Sequence, residues 1–131
     1  MGEGPNEVEY PLADLTEAII AAGIEVHRTL GPGYLEKIYE NAMVIELGLR
    51  GHQVVRQLDV HVTYRGTPVG KHRIDLLVND LVVVELKSVE GLASVHTAQL
   101  RSTLKAAGKR IGLLMNFNQE VLVKGLKRVI N

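Results

Sequence analysis

The stretch HRIDLLVNDLVVVELKS, His72 to Ser88, decides how this chain folds. Its period and its turn signal predict two β-strands, Arg73 to Val78 and Leu81 to Ser88, joined at Asn79-Asp80. Strand side chains alternate between faces, so Glu85 and Lys87 point the same way. The run Val82-Val83-Val84 marks a strand buried on both faces, where charges are uncommon unless paired or functional. One carboxylate on the first strand, Asp75, and Glu-x-Lys on the second is an arrangement able to hold a divalent metal.

Register decides whether those charges meet. A two-residue loop at Asn79-Asp80 would oppose Asp75 to Val84 and turn Glu85 away. A three-residue loop, or one bulge, opposes Asp75 to Glu85. Arg73, Asp75, Leu77, Val83, Glu85 and Lys87 then share one face, and Ile74, Leu76, Val78, Val82, Val84 and Leu86 fill an apolar one. The second partition is cleaner and is the one expected.

The pattern continues outward on both sides. Apolar residues at Leu15, Ile19, Ala22, Val26 and Leu30 predict an amphipathic helix over 14–30, ended by Gly31-Pro32-Gly33. A second helix is expected over 34–50, with Leu35, Ile38, Ala42, Ile45 and Leu49 as its apolar stripe. From Val54 to Tyr64 the period becomes two, with Leu58, Val60, Val62 and Tyr64 on one face. After the Glu85 strand comes a helix capped by Ser94, running to Ala107 and closed by Gly108. Ile111 to Phe117 reads as a strand. Val121 to Ile130 fits a strand or a short helix. The order ααβββαββ implies an α/β fold with a mixed central sheet flanked by helices.

At 131 residues the chain is expected to form one domain over 12–131, behind a flexible N-terminal arm over 1–11. It has no cysteine, which excludes disulfides and thiolate metal sites and suits a cytoplasmic location. No apolar run approaches the ~20 residues that span a bilayer, so no membrane partner is expected. Net charge is zero but unevenly spread. Residues 1–20 hold five acids and no Lys or Arg, whereas residues 100–131 hold seven bases against one acid, Glu120. A basic end can attract phosphate even on a neutral molecule. Arg101, Lys105, Lys109 and Arg110 are therefore candidate nucleic-acid contacts, and Arg73 and Tyr39 are candidates with them.

Two carboxylates brought together repel, and a cation between them removes that cost. Mg²⁺ takes oxygen ligands and keeps waters, so Asp75, Glu85 and a strand carbonyl such as that of Leu86 would suffice, with Mn²⁺ as a substitute. Such a metal activates water and neutralises charge growing on a phosphate. Lys87 is better cast as orienting the attacking water or stabilising transition-state charge than as a free base. Glu36, in the first turn of the second helix, with Tyr39 one turn on, points towards the same place. By itself Glu36 reads rather as an acid favoured by the helix dipole, and Gln99 as an ordinary polar helix residue.

Asp75…Glu85-Leu86-Lys87 resembles the core of the PD-(D/E)XK nuclease superfamily. The words VHRTLGPGYLEKIYENA, HRIDLLV, VVVELKS, the AQL of Ala98 to Leu100 and GLLMNF are similar to one branch, the small GxxExxY proteins, across roughly 15–130. The resemblance implies a restriction-endonuclease-like core and an Mg²⁺-dependent nuclease, with DNA as the expected substrate; a homodimer formed through the sheet edge belongs to a rival expectation. It implies Asp75, Glu85 and Lys87 as catalytic core, Glu36 as an added helical acid, and Gln99 as a polar residue behind the active strands. Thr103 departs from the Gln-x-x-x-Tyr of related nucleases, which removes an aromatic platform for a base. His27 fits the family's Val-His, while His61, His72 and His96 lack zinc-site spacing. The rival expectation is a nucleic-acid-binding or oligomeric module that keeps the fold without turnover.

Overall fold

The computed structural model describes residues 11–131, so the arm expected over 1–11 lies outside them apart from Pro11. Two helices come first, α1 (Ala13–Leu30) and α2 (Glu36–Leu49). Three strands follow, β1 (Val54–Tyr64), β2 (Thr67–Val78) and β3 (Val82–Lys87). Helix α3 (Ser94–Ala107) leads to β4 (Ile111–Asn116), a 3₁₀ turn (Leu122–Gly125) and β5 (Leu126–Ile130). The last segment thus combines the two readings the sequence left open.

The strands form one mixed sheet in the order β1-β2-β3-β4-β5. Every neighbouring pair is antiparallel except β3 and β4, whose parallel pairing needs a crossover, and α3 is that crossover. Helices α1 and α2 cover one face, over a core containing Ile19, Tyr39, Met43, Val84 and Leu113. Helix α3 covers the other, over Ile74, Val83, Leu100, Leu104 and Leu114. Central strands β3 and β4 are therefore buried on both faces, which is why they read as nearly continuous apolar runs.

Val78 pairs with Val82, Leu77 with Val83 and Leu76 with Val84, so the β2–β3 loop has three residues. Asn79 and Asp80 take its left-handed positions, which Asn and Asp tolerate better than most side chains. This is the register that opposes Asp75 to Glu85. One member of the expected apolar face is corrected. Ile74 packs with Leu77 and Val83 under α3, whereas Leu76 and Val78 pack under α1 and α2.

Two helix details also differ from expectation. The stripe expected to bury α2 is mostly its exposed side: Leu35 is 77% and Leu49 79% exposed. Tyr39, Glu40, Met43 and Leu47 are buried instead. Both stripes have helical spacing, and tertiary packing chose between them. Tyr39 stacks on Phe117 with ring centroids 4.5 Å apart, and its hydroxyl donates to the Gly31 carbonyl (2.6 Å). Burying Met43 and Leu47 adds about 1.5–3 kcal/mol each. At α3, Ser94 is already helical and Ala93 holds the capping position, where its N–H donates to His96 Nδ1 (2.9 Å).

Candidate active site

β2 and β3 part company just where the charges begin. Their ladder ends at Leu76–Val84. Just beyond it, two residues on from Val84, the Leu86 N–H donates to Asp75 Oδ2 (2.8 Å) rather than to a strand carbonyl. The N–H and C=O of a strand residue face the same edge, so the Leu86 carbonyl also looks into this gap. The Leu86 side chain is buried in the core.

Glu85 lies beside Asp75, and its carboxyl is pushed up to about 9. Burial is the main cause, followed by the charge of Asp75 and hydrogen bonding with it; Glu36 adds repulsion, and Lys87 opposes the shift. Glu36 enters from the start of α2, where its Oε2 accepts from the Ser88 N–H (3.3 Å). Ser88 Oγ also donates to the Tyr34 carbonyl (2.7 Å), so the end of β3 is tied to the α2 N-terminus. Asn116, fully buried beside Lys87 in the parallel pair, holds the chain two residues on by accepting from the Val89 N–H and donating to the Val89 carbonyl.

Glu85 and Lys87 open into a cleft of about 340 Å³ between the sheet and α3. Gln99 lines it from the helix, and Lys71, His72 and Arg73 line it from β2. Thr103 lies at its floor, donating its hydroxyl proton to the Gln99 carbonyl (3.0 Å). Having one proton to give, that hydroxyl accepts from His72 Nδ1 (2.7 Å), which sets the imidazole tautomer and leaves Nε2 free of partners among the described residues. His72 and His96, scattered in sequence, thus share the cleft. Of the basic triplet Lys71-His72-Arg73 just ahead of Asp75, Arg73 was already a candidate contact, and His72 is the cleft residue the sequence reading missed.

Several expected contacts lie elsewhere. Tyr39 has no exposed surface and braces the glycine turn, so it is corrected from a substrate contact to a core residue. Arg101 and Lys105 are exposed, but at 100° per residue they leave α3 on the flank opposite Gln99. Lys109 binds the Asp80 carbonyl and carboxylate at the far end of β3, and Arg110 adjoins it. Arg73 lines the cleft while paired with Asp59 (3.1 Å), which Lys71 also contacts (3.2 Å). These two cations hold the Asp59 carboxyl below the usual carboxylate range.

Among the described residues, no group of three or more His, Cys, Asp or Glu is arranged as a metal cage. The groups at the gap that could hold a cation are instead two carboxylates and a main-chain oxygen, hard donors that would suit Mg²⁺ or Mn²⁺ completed by water. The forced proximity of Asp75 and Glu85 fits a cation between them.

A mixed sheet sandwiched by helices, with acids and a lysine where two strands diverge, defines the class of compact α/β nucleases. The chain belongs to the PD-(D/E)XK nuclease superfamily, whose match runs over residues 13–129. No curated protein and no solved structure matches it. That superfamily consists largely of nuclease hydrolases that use divalent metals on nucleic acid, and the fold is consistent with its restriction-endonuclease-like core. No helix among the described residues is long and apolar enough to cross a membrane.

Proposed function

We propose that the protein is an Mg²⁺-dependent nuclease of the GxxExxY branch that hydrolyses phosphodiester bonds of DNA, with residues 12–131 as its catalytic unit. The observation that carries this reading is the meeting of Asp75 and Glu85 where β2 leaves β3, with Lys87 beside them. Asp75, Glu85 and the Leu86 carbonyl would hold the metal. When bound, it would supply Lewis acidity towards the phosphate and a more acidic water. Lys87 orients the attacking water and offsets charge on the phosphate. Glu36 adds an acid from the α2 side, and Gln99 positions the substrate from α3. Lys71 and Arg73 form the near phosphate contacts, since they line the same cleft as Glu85.

A cleavage panel of linear, nicked, branched and single-stranded DNA and RNA, with Mg²⁺, Mn²⁺ or EDTA, tests this. Metal-dependent cleavage of DNA, lost with EDTA, is expected. Cleavage of RNA alone would overturn the substrate, and absence of any cleavage would overturn the activity.

A second reading has its own observation. Leu35, Ile38, Ile45 and Leu49 form an exposed apolar stripe along α2, the kind of surface that self-association covers. It favours a homodimer, with or without turnover. Sedimentation at micromolar concentration decides it, with Ile45→Glu expected to yield monomer.

A further inference from the structure

Gln57, in the middle of β1, has φ of 55°. Side chains with a β-carbon rarely adopt this left-handed conformation. The other described non-glycine residues that do, Leu12, Arg65, Asn79 and Asp80, stand in turns or at a helix start. Gln57 also stands at a telling place. The β1–β2 ladder pairs Arg56 with Leu76 and Leu58 with Ile74, passing over Gln57 and Asp75 between them. Both strands roll over at this gap. Val54, Leu76 and Val78 pack under α1 and α2, while Val60 and Ile74 pack under α3. Residues two apart on a regular strand share a face, so Ile74 and Leu76 belong to different cores only because the strand turns at Asp75.

That turn has a consequence for Asp75. A regular strand would stand the carboxylate roughly perpendicular to the sheet. To accept the Leu86 N–H, a group of the β3 edge, it must lie near the sheet plane. The roll supplies that orientation, and Glu40 holds the roll. Glu40 is 5% exposed and stands one turn beyond Glu36 on α2. Its Oε1 accepts from Gln57 Nε2 (2.8 Å), and its Oε2 accepts from Arg56 Nε (3.1 Å) and Lys37 Nζ (3.3 Å). A buried carboxylate with these donors is a firm anchor, because displacing it would strand a charge.

We propose that Glu40 and Gln57 are positioning residues for the active site: Glu40 clamps Gln57 in its left-handed conformation, and that conformation aims the Asp75 carboxylate into the gap between β2 and β3. Neither residue touches substrate. The proposal deepens the metal-binding reading and rests on it for one of its two readouts.

The test compares Gln57→Val with Gln57→Gly. Both remove the hydrogen bond to Glu40, but valine excludes the left-handed conformation and glycine accepts it. The first readout is hydrogen exchange at the Leu86 amide in metal-free protein, which reports the Asp75 contact directly. The second is Mg²⁺ affinity by calorimetry. Gln57→Val is expected to lose Leu86 protection and to weaken Mg²⁺ binding by roughly tenfold or more. Gln57→Gly is expected to restore protection and much of the affinity. Should Gln57→Val not fold, Gln57→Ala against Gln57→Gly makes the same comparison with a single methyl group. Equal Leu86 protection in the two members of either pair overturns the proposal. A wild-type protein that binds no Mg²⁺ overturns the metal-binding reading instead, and the Leu86 readout still decides the positioning.

Discussion

At Glu85 the fold holds a carboxyl protonated far above its ordinary range, to about 9, because burial and Asp75 both oppose its charge. An unfolded Glu loses its proton at about 4.3. Between those limits the unfolded chain binds fewer protons than the folded one, so metal-free stability falls as pH rises through that window. Thermal unfolding in EDTA between pH 5 and 9 is expected to show this decline, and Glu85→Gln, which mimics the neutral acid, to flatten it. Identical profiles for wild type and Glu85→Gln would contradict the burial of Glu85 beside Asp75. Lys87 is expected to behave differently, since an ammonium has no lone pair to offer a metal. Lys87→Ala is expected to cut cleavage by about 10²–10³-fold while Mg²⁺ affinity, by calorimetry, stays near wild type. Asp75→Asn is expected to lose both, and unchanged affinity there would remove Asp75 from the metal shell.

Among the elements, α2 and the β4–β5 connection respond oppositely to one added methyl group. Gly48 lies exposed near the end of α2, and a Cβ there meets nothing within 4 Å. Gly48→Ala is expected to stabilise the protein by up to about 1 kcal/mol, because alanine restricts the unfolded chain and favours helix. Gly125 closes the 3₁₀ turn against β4, and a Cβ there would stand 2.4 Å from the Asn116 carbonyl oxygen. Backbone cannot yield as a side chain does, so Gly125→Ala is expected to destabilise by about 1–3 kcal/mol. Urea unfolding separates the two, and a neutral Gly125→Ala would show a turn loose enough to move. The same turn bears on the site, since Asn116 also holds Val89 behind Lys87.

Across the whole molecule, charge is sorted by position in the fold rather than by position in the chain. The basic C-terminal quarter looked like the phosphate-binding end, yet Lys109 is tied to Asp80 at the end of β3 away from Lys87. The cleft draws its cations from β2 instead. Reversing Lys71 and Arg73 to Glu is expected to weaken DNA binding and flatten its salt dependence, each lost contact removing about 0.7–0.9 from the slope of log affinity against log salt. Reversing Lys105, Lys109 and Arg110 is expected to change that slope little. A larger effect from this triple reversal, measured by fluorescence anisotropy across salt, would move the DNA track to the α3 flank.

Local pattern determined the order of helices and strands, the buried character of β3 and the register that opposes Asp75 to Glu85. Period, turn residues and the partition of apolar from charged faces act within a few residues, so they are legible in a linear chain. The buried stripe of α2 was not legible, because two stripes had helical spacing and only packing against the rest of the core, including the stacking of Tyr39 on Phe117, distinguished them. Nor was the roll of β1 and β2 at Gln57 and Asp75, which violates strand alternation and depends on Glu40, seventeen residues before Gln57 in the chain. The cleft's lining by Lys71 and His72 likewise depended on the docking of α3 beside β2, where Thr103 meets His72. These features come from contacts between elements, and such contacts exist only once the sheet and its helices have closed on one another.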